Sequence, residues 1–283
     1  MRAIPVLLCL TAMTLPAQPP PGRGGPENES IRQGIQLDLQ GKHSEARAAF
    51  QKAIDTAPEP AAKANAQRAL AMSWAFEGNC KKTAEYEEMV IDYWTTQEKD
   101  APDRAFYQQG EMADEAARVC IDHGDLSAAQ ELYKRGHDLG MKEPGISPAR
   151  KDLWDYRWEH AQARIAARRG NKVEAEKHVA AAKRILDDMK QKDEKLYEQQ
   201  ASFLPYLTGY VAYYTGDYQT ALEDLQKANQ RDGFILCLLG MTLEKLGDKT
   251  RAMETYRKAA SINGHNPPAA FARPFAARKL GEG

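Results

Sequence analysis

The chain of 283 residues has only four cysteines, too few for a scaffold built on disulfides. It has no basic excess: 39 Lys and Arg against 40 Asp and Glu leave a net charge of −1. That balance excludes the electrostatic footprint of a nucleic-acid binder. The usual emblems of chemistry are missing too. There is no P-loop, no G-x-G-x-x-G after a strand and no G-x-S-x-G, and PGRGG (21–25) belongs to a leader rather than a phosphate cradle. The six histidines (His43, His123, His137, His160, His178 and His265) pair with no other His, Cys or carboxylate at a metal-binding spacing. The acidic runs EYEE (85–88) and LDDMKQKDEK (186–195) read as solvated helix faces. Catalysis has no residue set to rest on, so a non-enzyme without cofactor or metal is expected.

No apolar run is long enough to span a bilayer. The first residues, MRAIPVLLCLTAMTLPA, carry Arg2, an apolar stretch over 4–15 and small Ala17 before QPPPGRGG. This is the layout of a secretory signal peptide over 1–17. Leu15 departs from the preferred small residue, and Leu8 is too large for a lipobox before Cys9. Residues 18–27 form a flexible Pro/Gly leader. The expectation is an exported protein, periplasmic or secreted, with no stable membrane span once the leader is removed; an uncleaved leader serving as anchor is the alternative.

What the sequence does have is a recurring turn. Gly41, Gly78, Gly124, Gly170, Gly216 and Gly247 follow one another at 37, 46, 46, 46 and 31 residues. Seven before each stand Gly34, Ala71, Ala117, Ala163, Gly209 and Gly240, and five after stand Ala46, Thr83, Ala129, Ala175, Ala221 and Ala252. Nine after come Phe50, Glu87, Tyr133, Val179, Leu225 and Tyr256, so the second register departs most, at Thr83 and Glu87. Glycine past a helix end takes the left-handed conformation that closes the last carbonyls. The next residue is Asn79, Asp125, Asn171, Asp217 or Asp248 in five of six cases, a side chain that caps the following helix. Small residues let the two helices approach, and the bulky one fills the space beside them.

These residues resemble the tetratricopeptide repeat family, most clearly at Gly34–Gly41–Ala46–Phe50–Ala53–Pro58, Gly209–Gly216–Ala221–Leu225 and Gly240–Gly247–Ala252–Tyr256. The resemblance covers 28–263 and implies an all-α, right-handed helical-repeat solenoid of about six antiparallel pairs. The 46-residue intervals exceed the family's 34, so Asp103–Asp122, Pro148–Arg169 and Glu194–Thr215 are expected as helices of about 20 residues. Residues 264–283, with Phe271, Phe275 and Leu280, are expected to cap the apolar edge of the sixth pair.

The family implies a protein or peptide partner held on the concave side by first helices. In the fourth pair Arg157, His160, Arg164 and Arg168 make one stripe. Forty-six residues on come Tyr206, Tyr210 and Tyr214, with Tyr213 alongside, and 46 back come Asp114, Arg118 and Asp122. Guanidinium and tyrosine side by side suit acidic partners, although packing within the protein would use the same pairs. The family's clamp for chain-terminal carboxylates uses Lys and Asn, and Arg118 and Arg164 stand in those places, which argues against a terminal clamp and leaves internal acidic segments or glycans open. A non-catalytic adaptor is the leading expectation; an envelope-assembly subunit and a solenoid enzyme acting on cell-wall material are the alternatives. Stacking also brings Cys80 near Cys120, a candidate disulfide in an oxidising compartment.

Overall fold

Gly41, Gly78, Gly124, Gly170, Gly216 and Gly247 all have positive φ, between 70° and 94°, so each turn uses the left-handed conformation closed to most side chains. Asn79, Asp125, Asn171, Asp217 and Asp248 each accept a hydrogen bond from the amide three residues on. Lys42 makes no such cap. The computed structural model describes residues 28–281, so the expected signal peptide (1–17) and leader (18–27) lie outside the described residues.

Among the described residues there are fourteen helices and no strand. Six glycine turns join six antiparallel pairs: α1 (Glu29–Leu39) with α2 (His43–Asp55), α3 (Pro60–Phe76) with α4 (Cys80–Thr95), α5 (Pro102–Asp122) with α6 (Leu126–Gly140), α7 (Pro148–Arg168) with α8 (Lys172–Lys192), α10 (Leu204–Tyr214) with α11 (Tyr218–Lys227), and α12 (Gly233–Lys245) with α13 (Lys249–Ala260). The remaining two are α9 (Glu194–Ala201) and α14 (Pro267–Leu280). Second helices α2, α4, α6 and α11 pack on the first helix of the next pair, which stacks the array as a helical-repeat solenoid. In the pairs α1–α2, α10–α11 and α12–α13, the glycine seven before the turn faces the bulky residue nine after it. A methyl group on Gly240 would come within 2.5 Å of the Tyr256 ring.

The second register keeps its departures as real features. Thr83 is buried with its hydroxyl on the Ala71 carbonyl, 3.3 Å away. Glu87 is 1% exposed and its carboxyl oxygens have no hydrogen-bond partner. Burial, with Glu115 nearby, pushes that carboxyl well above its ordinary range.

One expectation fails. The stretch Glu194–Thr215 is not a single long helix but α9 and α10, separated at Ser202–Phe203. Pro205 sits in the first turn of α10, where its missing N–H is tolerated; inside a continuous helix it would remove a hydrogen bond and clash with the preceding turn. The long second helix of this region is α8 instead, with 21 residues.

The C-terminal helix does more than cap an edge. α14 packs on α12 and α13 and also reaches across to α3 and α5. Ala269, Ala270, Ala272 and Ala276 are all buried. Arg273 donates from Nη2 to the Leu39 carbonyl at 2.6 Å and from Nη1 to the Ala260 carbonyl at 2.8 Å. The last helix therefore lies against first helices from both halves of the array and joins its two ends.

Candidate functional site

Alanine at four inward positions lets α14 lie close against its neighbours, but its N-cap Asn266 and first residues Pro267 and Pro268 leave space beside α5 and α7. A cavity of about 310 Å³ remains there. Its walls come from α5 (Glu111, Asp114, Glu115, Arg118), α7 (Tyr156, Arg157, His160, Arg164), Tyr133 of α6, and the α9–α10 break with Tyr206 (Gln200, Phe203).

The charges in it are sorted. Arg157 donates to Glu111 Oε2 at 2.6 Å and to the Tyr107 hydroxyl at 3.1 Å. Glu115 is paired with Arg68. Asp114 has Arg157 Nη1 at 3.6 Å and makes no side-chain hydrogen bond among the described residues. Burial, opposed by Arg157 and reinforced by Glu111, lifts its carboxyl to about 7.

One to two turns further along the same helices the sign changes. Arg118 donates from Nε to Asp122 at 2.8 Å, while its Nη2 is buried without a partner. Arg164 is 4% exposed and has no carboxylate partner; it donates to the Tyr133 hydroxyl at 2.8 Å and the Tyr206 hydroxyl at 3.3 Å. Both guanidinium carbons lie near the Tyr206 ring, at 5.4 Å and 5.9 Å. His160 is 9% exposed with Nε2 unpartnered. Burial and the nearby Arg164 and Arg118 hold its imidazole well below the usual range, hence neutral.

Five of the nine residues named from the sequence thus meet in the cavity: Arg118, Arg157, His160, Arg164 and Tyr206. The other four are placed elsewhere. Arg168 donates to the Tyr214 hydroxyl at 3.0 Å. Tyr210 is fully buried against Tyr214, ring centroids 4.6 Å apart, and Tyr213 packs edge-on to Tyr214 at 5.0 Å. The 46-residue offset is here the contact register between neighbouring first helices, as in Arg157 with Glu111 and Arg168 with Tyr214. Cys80 and Cys120 are joined as a disulfide, with Cα atoms 4.8 Å apart. It links the start of α4 to the end of α5.

Residues 235–266, which take in α12 from its third residue on and all of α13, match the family model described as tetratricopeptide repeat. This stretch is similar to a tetratricopeptide repeat. Among solved structures, the nearly identical TPR-like repeats of a putative kinesin light chain from Podosopora anserina match with 15% identity over 82% of this chain and 92% of their own, TM-score 0.37. A tetratricopeptide repeat protein from Parabacteroides merdae matches with 14% identity over 88% of this chain and 99% of its own, TM-score 0.37. No curated protein sequence matches the chain.

Of the residues lining the cavity, sequence reasoning missed Glu111, Glu115, Tyr133, Tyr156 and Phe203. A signal for the first two was present: Glu111, Asp114, Glu115 and Arg118 are spaced for one helix face, and Glu111 is 46 residues before Arg157. Phe203 carried none, because its place depends on the break after α9. Among the described residues no group of three or more His, Cys, Asp or Glu side chains is arranged to hold a metal ion, and no helix is long and apolar enough to cross a membrane.

Proposed function

We propose that this protein is a non-catalytic, exported binding scaffold that receives a short peptide segment in the cavity between α5, α7 and α10. The observation that carries this reading is Arg164, a buried guanidinium with hydroxyls but no acid beside it. A buried charge without a counter-charge destabilises the fold, and arrangements of that kind concentrate where function needs them. The unpartnered Arg118 Nη2 and His160 Nε2 add hydrogen-bonding capacity at the same spot. Because α14 packs across α3, α5 and α12, the space suits a few residues rather than a long helix laid along those first helices.

Export is supported by the layout of residues 1–17 and by the Cys80–Cys120 bridge, a feature of oxidising compartments. A displayed random-peptide library selected against the mature protein and against folded Arg164→Met tests the binding reading. Sequences enriched on the first and lost on the second are expected. Identical enrichment on both would remove the cavity from the account.

A further inference from the structure

Arg164 and His160 line the cavity and are nevertheless almost wholly buried, so anything that touches them needs a wall to move. Most of the walls are bonded to one another. Arg157 on α7 holds Glu111 on α5 at 2.6 Å, and Arg164 holds Tyr133 on α6 at 2.8 Å. The Tyr156 hydroxyl donates to the Gln200 carbonyl at 3.3 Å, which ties α7 to α9. The remaining wall is Asn266, Pro267 and Pro268. Among the described residues none of these three is hydrogen-bonded to another wall. The prolines have no N–H to give, and Asn266 uses its side chain as the cap of α14, accepting from the Ala269 amide at 3.0 Å.

This wall is held from behind. Upstream, Arg273 donates to the Ile262 carbonyl at 3.0 Å; downstream, Ala269, Ala270, Ala272 and Ala276 are buried. Between these fixed points lie residues 263–268, with Gly264 among them. Among the described residues their one hydrogen bond to another element joins His265 Nε2 to Asp38 Oδ2, at 2.9 Å. We infer that residues 263–268 form a lid over the cavity, latched by His265 on Asp38, and that the lid opens onto Arg164 and His160 while the rest of α14 stays docked. What the lid admits rests on the peptide-binding reading above; the lid itself does not.

The latch has a fixed post. Asp38 is also held by Ser73 and His43, each at 2.9 Å, so it stays in place and keeps partners when His265 leaves, and no buried charge is orphaned. Lifting the lid costs little helix. Two prolines at the start of α14 leave no amides unpaired, so the loss is the Asn266 cap and the bond from the Ala270 amide to the Asn266 carbonyl, 2.9 Å. A hydrogen bond to a charged acceptor outweighs a neutral one, which makes His265 to Asp38 the contact that sets how often the lid opens.

Thiol labelling of the mature, oxidised protein carrying His160→Cys tests this. N-ethylmaleimide is followed at the introduced thiol and at native Cys237, which is buried beneath α14 with its Sγ 3.7 Å from the Ala272 carbonyl. Adding His265→Phe keeps a ring beside Phe50 and Phe76 and removes the bond to Asp38. The introduced thiol should then react at least about tenfold faster, with Cys237 still unlabelled. His265→Gln, whose amide can donate where Nε2 stood, should bring back the slow rate. Equal rates with histidine and phenylalanine at 265 overturn the lid, and a fast rate with glutamine overturns the latch. Faster labelling of Cys237 as well overturns the inference, because the whole of α14 would then be lifting. No peptide enters this experiment, so its failure leaves the binding reading standing, and a peptide library without enrichment leaves the lid standing.

Discussion

His265 Nε2 lies 2.9 Å from Asp38 Oδ2, across 227 residues of sequence. Asp38, on the first helix, also receives Ser73 Oγ and meets His43 Nδ1, each at 2.9 Å, and its side chain is fully buried. Two histidine rings stack on Phe76 beside it, at 5.5 Å for His43 and 5.6 Å for His265. This cluster fastens the segment leading into α14 to the first pair.

Removing the acid should therefore loosen both ends. Burial pushes the Asp38 carboxyl up, but the bonds from His265, His43 and Ser73 outweigh it and the group ends below its usual value. A depressed carboxylate contributes stability that is present above about pH 4 and is lost as pH falls through the lower folded value. Asp38→Ala should cost about 3 kcal/mol or more at pH 7 in urea denaturation. The variant should also lose less than the wild type on going from pH 5 to pH 3, and equal losses would mean that Asp38 is not the acid-sensitive group.

Arg164 is expected to separate stability from binding. Met at this position fills similar space without an unpaired charge, so Arg164→Met should melt at the same temperature or higher, while peptide binding falls at least about tenfold. A large drop in melting temperature would show that the Tyr133 and Tyr206 hydroxyls compensate the buried cation fully.

The cavity should respond to pH through Asp114. With its carboxyl near 7, Asp114 contributes stability at low pH that is lost as pH rises from about 4 to about 7. Stability in urea should therefore fall between pH 5 and pH 7.5 more steeply for the wild type than for Asp114→Asn. Equal slopes in the two proteins would place the titrating group elsewhere.

Much of the fold is legible in the chain because its decisive signals are local. Glycine then Asx at each turn, with small and large residues at fixed offsets, encodes a helix end, a cap and a contact within a dozen or so residues, and Gly240 against Tyr256 shows the encoding directly. Cys80 and Cys120 fall together because their offsets from successive glycines place them at neighbouring helix ends. The position of α14 is not local. Apolar around much of its surface, it has no single face to read, since it is covered from α3, α5, α12 and α13. For the same reason the Arg and Tyr stripes divide in a way that spacing cannot reveal. Arg168 and Tyr214 satisfy each other, whereas Arg164 borders the space that α14 leaves open.

Reduction gives a prediction independent of the cavity. The Cys80–Cys120 bridge closes a loop with a sequence separation of 40, and chain-entropy reasoning assigns such a link about 4 kcal/mol. Dithiothreitol should lower the melting temperature by several degrees, with Cys80 and Cys120 trapped as alkylated thiols only after reduction. Free thiols at both positions in the untreated mature protein would remove the bridge.

The central claim is that α14 closes the array and roofs a charged cavity. Hydrogen exchange followed by mass spectrometry on the intact chain tests it most directly. Peptides spanning 268–280 should be protected to the same degree as those from α12. Exchange of that segment within seconds, as in an exposed tail, would contradict the claim and remove the cavity with it.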